Sequence, residues 1–218
     1  MALIQTDFKR LIAYGAVAEI GYMFLGIGAG LSVLHNTDLY AAGLNAMKGG
    51  IFHIMNDALD VGLLFLVAGA IYYATRELSL DRLGGLARNM KYTTIFFVIG
   101  LLAIAGMPPM NGFASKLLIY ESTFQINPIL AIIAILCSIL LLAIFIKVFH
   151  SVFLGPKQPL LKNAKEVPRS MLFAMGIIAC IILIFGLFPQ IIINNIVQPA
   201  ADALINNAQY LSAILGGI

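Results

Sequence analysis

Five stretches of this sequence are apolar for long enough to cross a bilayer, and the polar residues inside them are few and placed at helical spacing. The hydropathy pattern predicts spans at about 11–34, 51–74, 93–124, 128–153 and 171–193, each longer than the roughly 20 residues that a crossing helix needs. The third is interrupted. An apolar run from Thr93 to Ala105 gives way to Gly106-Met107-Pro108-Pro109-Met110-Asn111-Gly112 and resumes at Phe113. Pro109 has no N–H and pushes Pro108 out of the α region, so a regular helix cannot continue through that point. Each half alone is too short to span. The stretch therefore reads as one spanning helix broken in mid-membrane, whose freed backbone groups must be buried in protein or face a wet cavity.

The polar positions inside the spans mark surfaces that cannot face lipid. Lys116 lies four residues past Gly112, in what should be the first turn of the second half-helix. There it either loads and releases a proton or anchors the break by hydrogen bonds to free carbonyls. In the first span, Gly15, Glu19, Tyr22 and Gly26 share one stripe, so Glu19 should face a neighbouring helix across small residues. The second span is the most polar: His53, Asp57, Asp60 and Leu64 recur at intervals of four, three and four, with Asn56 alongside. That face lines either a proton or ion path or a hydrogen-bonded interface to another subunit. Lys147 and His150 sit three residues apart near the end of the fourth span, where a lysine can also snorkel to the interface. After Pro189, residues 196–215 place Val197, Ala201, Leu204, Ala208, Leu211 and Leu215 on one stripe, with Gln198, Asp202, Asn206 and Gln209 off it. The expectation is an amphipathic helix on the outer surface or against a partner.

Composition agrees with this pattern. Of 218 residues, 61% are hydrophobic and only 11% charged, with a mean hydropathy of +0.98, against about 25% charged in soluble domains. The fold class is thus an all-α membrane protein: five transmembrane helices, the third broken at Gly106–Gly112, in a single domain over 1–193, and an amphipathic C-terminal helix over 194–218. The basic residues set its direction. With the N-terminus inside, Lys9, Arg10, Arg76, Arg82, Arg88, Lys91, Lys157, Lys162, Lys165 and Arg169 fall on the inner side and Lys48 on the outer. Counting the broken helix as two crossings destroys that asymmetry. The expected topology is a multi-pass protein of a prokaryotic plasma membrane, N-terminus cytoplasmic and C-terminus outside. The net charge of +3 suits loops that follow this rule better than nucleic-acid binding. Cys137 and Cys180 each lie in an apolar run without metal spacing and are expected to be core thiols. Asp7, Lys9 and Arg10 lead straight into the first span with no small-residue cleavage motif, so no cleavable signal peptide is expected. No nucleophile–base pair, phosphate-cradling glycine loop, metal site or cofactor motif is legible, so any redox chemistry belongs to another subunit.

These residues also carry a family likeness. Asp7-Phe8-Lys9-Arg10-Leu11-Ile12-Ala13-Tyr14 followed by Ile20-Gly21-Tyr22 resembles the D-x-K-R-L-x-A-Y-S…G-Y segment of antiporter-like subunits. That family comprises multisubunit Na⁺/H⁺ antiporter subunits, proton-pumping membrane subunits of complex I and membrane-bound energy-converting hydrogenases. The run from His53 through Phe65 is similar to its histidine-rich H-x-x-x-H-A-x-x-K-A-L-L-F helix. Gly106 through Lys116 is similar to G-x-P-P-x-x-G-F-x-S-K of its second broken helix. The match runs from residue 6 to about 155, with the motifs in family order. Family members usually carry two inverted five-helix repeats, and the likeness covers most of the second repeat and the helix after it. Two positions depart: the lysine of the histidine-rich helix falls on Val61, and its second histidine on Asp57.

The resemblance implies a non-catalytic membrane subunit of a respiratory, hydrogenase- or complex I-related assembly. It would contribute to H⁺ or Na⁺ translocation beside other membrane subunits, full-length antiporter-like ones among them. Lys116 would be the lysine nearest the outer proton exit, with Glu19, His53, Asp57 and Asp60 along the path. A structural bridging subunit that has lost pumping, or half of a split Na⁺/H⁺ antiporter, are the alternatives.

Overall fold

The computed structural model describes residues 1–156, 158, 161 and 164–205. Among these the chain is helical, without strands, and four helices are long and apolar enough to cross a membrane. They are α1 (Phe8–Ser32), α2 (Tyr40–Thr75), α5 (Pro128–Phe149, prolonged by a π-helical turn over His150–Leu154) and α6 (Arg169–Leu187). Between α2 and α5 lie two shorter helices, α3 (Lys91–Ile104) and α4 (Asn111–Ile126). Beyond α6 follow α7 (Pro189–Ile192), a π-helical turn and α8 (Gln198–Ile205).

Several boundaries differ from the expectations, each for a local reason. Helix α2 starts at Tyr40, eleven residues before the predicted span, because Ala42, Ala46, Met47, Gly49 and Gly50 all pack inward on its early turns. Lys48, expected in an outer segment, is therefore a helical residue of α2. Helix α6 stops at Leu187, where Pro189 cannot extend it, instead of running to 193. Of the predicted C-terminal stripe, Val197 and Ala201 are buried and Leu204 is exposed, while positions 206 onward lie outside the described residues. Cys137 and Cys180 are exposed on helix surfaces, not core thiols. The reason is general: lipid is as apolar as a protein interior, so an apolar neighbourhood in sequence does not mark burial.

Packing divides the molecule along its length. Toward the basic loops, Phe8, Leu11, Ile12, Leu64, Val67, Phe97, Phe145 and Phe153 form an apolar core, with the rings of Phe97 and Phe153 4.8 Å apart. The loop between α2 and α3 closes this end. Phe8 N donates to Leu78 O, Leu80 N donates to Thr6 O, and the Asp7 carboxylate caps α1 by accepting from Arg10 N at 2.9 Å. Amides of Ser79 and Leu78 hold the Glu77 carboxyl below its usual range. Toward the other end, α1 and α2 come into backbone contact. A Cβ on Gly26 would stand 2.7 Å from Ala46 O and 2.8 Å from Gly50 N, closer than any side chain permits. That approach brings the polar stripes of the two helices together.

Candidate functional site

The site begins with how α3 ends. Gly106 takes φ +71°, its N–H reaches Ala103 O at 2.9 Å, and Met107 N reaches Leu102 O at 2.9 Å. This is the glycine-terminated helix end in which a left-handed residue satisfies two of the last carbonyls. The Ile104 carbonyl is left over, and the Lys116 ammonium donates to it at 2.7 Å. A Cβ on Gly106 would lie 2.8 Å from Lys116 Cδ, so glycine serves both the turn and the lysine's path. The peptide between Pro108 and Pro109 is cis. Because α4 begins at Asn111, Lys116 lies in its second turn, one turn later than the sequence suggested.

Lys116 is 1% exposed, and its other proton-bearing positions are also occupied. Nζ donates to Glu19 Oε1 at 2.9 Å and stands 4.6 Å above the Tyr22 ring. The ammonium thus has three partners for three N–H groups: a carbonyl, a carboxylate and a π face. Glu19, also 1% exposed, is shared. Its second oxygen, Oε2, lies 2.8 Å from His53 Nε2. One buried carboxylate from α1 therefore sits between a lysine of α4 and a histidine of α2. Gly15, Glu19, Tyr22 and Gly26 all face inward, as their stripe predicted.

The other imidazole nitrogen, His53 Nδ1, is 3.0 Å from Ser115 Oγ. Asn56 Nδ2 donates to the same hydroxyl at 3.0 Å and to Asn111 O at 3.0 Å, and Ser115 Oγ donates to Gly112 O at 3.2 Å. This polar lattice stitches α2 to the first turns of α4. A Cβ on Gly112 would run into Ala103 O, so α3 and α4 abut through that glycine.

Asp60 lies further along α2, also buried, with Oδ2 3.5 Å from where a Gly112 Cβ would be. Its Oδ1, both amide atoms of Asn111, Asn56 Oδ1 and Asp57 Oδ1 have no hydrogen-bond partner among the described residues. The carboxylate faces the start of α4, whose N-cap Met110 offers no side-chain acceptor. Asp57 is only half-buried, at the edge of the face the sequence assigned to it. Lys147 and His150 are not part of this cluster. Both are exposed, and the Lys147 amine donates to Leu3 O at 3.0 Å near the chain start.

Three participants carry no charge and were not singled out as site residues from the sequence: Ser115, Asn111 and Gly186. A Cβ on Gly186 of α6 would run into Pro109 O, so α6 presses its backbone directly on the interruption. The signal for Ser115 and Asn111 was their place beside Lys116 and the prolines. Gly186 gave none, because a glycine in an apolar run is common in membrane helices.

Comparison with known proteins shows the family and the fold. The family described as "NADH:quinone oxidoreductase/Mrp antiporter, TM" matches over residues 1–142. A Na⁺/H⁺ antiporter subunit A1 of Staphylococcus aureus (strain Newman) is 33% identical, over 92% of this chain and 27% of its own length. The chain thus spans about a quarter of the length of the curated relatives it matches. Among solved structures, a chain of respiratory complex I from Thermus thermophilus with bound NADH superposes with a TM-score of 0.78 and 25% identity, over 93% of this chain and 40% of that one. A chain of the membrane-bound sulfane sulfur reductase, an archaeal respiratory membrane complex, gives 0.63 and 29%, over 84% and 33%. A chain of the Mrp complex from Dietzia sp. DQ12-45-1b shares the fold at 0.73 and 19% identity, over 95% and 50%.

Proposed function

Since this chain belongs to the NADH:quinone oxidoreductase/Mrp antiporter transmembrane family, we propose that it moves protons as an antiporter-like subunit of a respiratory membrane assembly, in exchange with or alongside Na⁺. The observation that carries this reading is the shared carboxylate: Glu19 contacts Lys116 through one oxygen and His53 through the other. A proton leaving the Lys116 ammonium enters Glu19 at Oε1 and can leave from Oε2 to His53. From there the lattice of Ser115, Asn56 and Asn111 leads toward Asp60, and Asp57 lies at the α2 surface. Redox chemistry, electron donor and acceptor reside in other subunits, and this chain itself is not catalytic. Partners are other membrane subunits, including full-length antiporter-like ones.

In this reading α3 and α4 form one crossing broken at Gly106–Gly112. At about 1.5 Å per residue neither alone covers the roughly 30 Å hydrocarbon. One crossing also keeps the basic loops on a single side, giving five crossings in a prokaryotic plasma membrane with the N-terminus cytoplasmic and the C-terminus outside. A cysteine introduced at Lys9 or Arg82 is then labelled only from the cytoplasmic side; labelling of Arg82→Cys from outside overturns this topology.

The test of proton handling is redox-driven Na⁺ or H⁺ uptake in vesicles, measured beside assembly yield. Lys116→Ala uncouples uptake, and Lys116→Arg is nearly as damaging because an arginine does not deprotonate in a protein. A scaffold reading is favoured by one contact, the Lys116 bond to the Ile104 carbonyl. In a scaffold, arginine substitutes and alanine costs assembly. Full uptake by Lys116→Arg overturns the carrier role and leaves the scaffold.

A further inference from the structure

Away from the buried cluster, residues of α3 and α6 line a cleft of about 760 Å³. Their starts are held together by Glu166. Its carboxylate accepts from Tyr92 N at 2.8 Å and from the Thr93 hydroxyl at 2.6 Å, supplying the cap that Met90 does not. The cleft is lined by Tyr92 and Phe96 of α3 and by Arg169, Phe173, Ile177 and Cys180 of α6. Apart from its mouth the lining is apolar. Gly176 keeps it open, since a side chain there would grow toward the Phe96 ring, 3.7 Å from a Cβ.

We infer that this cleft is a binding site for an anionic phospholipid, with the headgroup phosphate on Arg169 and an acyl chain along α6. The observations favour lipid over a protein helix in three ways. The groove runs from Arg169 to Ile181, about 18 Å at helical rise, close to one leaflet of hydrocarbon at roughly 15 Å. Its charge is confined to one end. Arg169 is exposed, has no ion-pair partner among the described residues, and stands with exposed Lys91 and Lys165 at the same end. Glu166, the acid three residues before it, is engaged by the amides of α3. Finally, basic residues gather on this side of the protein, and anionic lipids are attracted to juxtamembrane basic residues of that kind.

The experiment uses the intact membrane assembly containing this chain, reconstituted with phosphatidylglycerol or phosphatidylcholine whose acyl chain carries a photoactivatable diazirine. Phosphatidylglycerol is expected to label α6 between Phe173 and Cys180 and α3 around Phe96, and unlabelled phosphatidylglycerol competes where phosphatidylcholine does not. Arg169→Gln lowers that labelling about fivefold, the effect of one interfacial cation. Gly176→Leu removes labelling by both lipids while labelling of the exposed α5 residues Ile132 and Ile139 is unchanged, which shows that the assembly is intact. Equal labelling by the two lipids, or labelling of the cleft no stronger than of α5, overturns the inference. So does a cross-link from Cys180 to a helix of a neighbouring subunit, which identifies a protein occupant.

Discussion

Helix α2 carries two polar clusters within two turns, and they are built on opposite terms. Around His53, every buried charge has a counterpart within reach: Lys116 donates to Glu19 and to the Ile104 carbonyl, and His53 meets Ser115 through Nδ1 while its Nε2 lies 2.8 Å from Glu19 Oε2 without hydrogen-bond geometry. Around Asp60, the acceptor oxygen Oδ1, the Asn111 amide and Asn56 Oδ1 stand without partners among the described residues, although equally buried. The first cluster is closed by contacts reaching across four helices, α1 to α4. The second faces the start of α4. Buried polar groups left without hydrogen bonds are costly, so a protein keeps them where something else, such as water or a moving proton, completes them. On the proton route proposed above, the closed cluster is where Lys116, Glu19 and His53 hold one another, and the open atoms near Asp60 are where the route continues.

The sharpest way to break this comparison is to remove the shared carboxylate. Glu19→Gln leaves the Lys116 ammonium buried without its counter-charge, and breaking a buried pair in this way costs about 3–5 kcal/mol. Thermal unfolding of the purified assembly should show a large loss, and the double variant Glu19→Gln, Lys116→Met should recover much of it. A single variant as stable as the parent would show that Glu19 and Lys116 do not hold each other as an ion pair.

The first cluster was partly legible in the sequence, and the reason is physical. A polar residue in an apolar run must turn away from lipid, so Glu19, His53, Asp60 and Lys116 announced their own burial. Prolines 108 and 109 announced the end of a helix in the same way. What was not legible is who meets whom. Glu19 and Lys116 are 97 residues apart, and spacing within one helix says nothing about register against another. The periodicity of His53, Asp57 and Asp60 placed all three on one face, yet Asp57 falls at its edge because α2 packs through a face centred between His53 and Asp60. Lys147 and His150, three residues apart near the end of the fourth span, are exposed and lie outside the cluster. Boundaries set by small-residue packing, such as the early start of α2, leave no hydropathy signal.

Two further variants sharpen the boundary between the clusters. Gly186→Leu drives a side chain into the Pro109 carbonyl, and overpacking of this kind costs about 1–3 kcal/mol. Because the interruption moves with it, ion uptake should fall further than stability does; uptake retained at the parental rate would mean that α6 does not position the break. Tyr22→Phe is milder. It deletes the bond from the Tyr22 hydroxyl to Ala134 O at 2.8 Å, a loss of about 1 kcal/mol, and keeps the ring beneath Lys116. Unfolding should shift slightly and uptake hardly at all; a large drop in uptake would make the hydroxyl, not the ring face, the working part of Tyr22.

The smallest stability effect belongs to the second cluster. Asp60→Asn keeps the volume and breaks no hydrogen bond that Asp60 Oδ1 makes, since it makes none among the described residues. What the substitution removes is an acid beside the first turn of α4, where the helix dipole favours negative charge by roughly 0.5 kcal/mol. The unfolding temperature should therefore stay close to the parent, well above that of Glu19→Gln, which removes a carboxylate that contacts Lys116 through one oxygen and His53 through the other. Uptake should behave in the opposite sense: an amide cannot accept and release a proton as a carboxylate does, so transport falls although the fold is intact. Measuring both quantities on the same preparation separates the roles. If Asp60→Asn destabilises as strongly as Glu19→Gln, Asp60 belongs to the holding lattice and the two clusters are one. If it changes neither quantity, the proton route does not pass through Asp60, and the path beyond His53 must leave α2 before that turn.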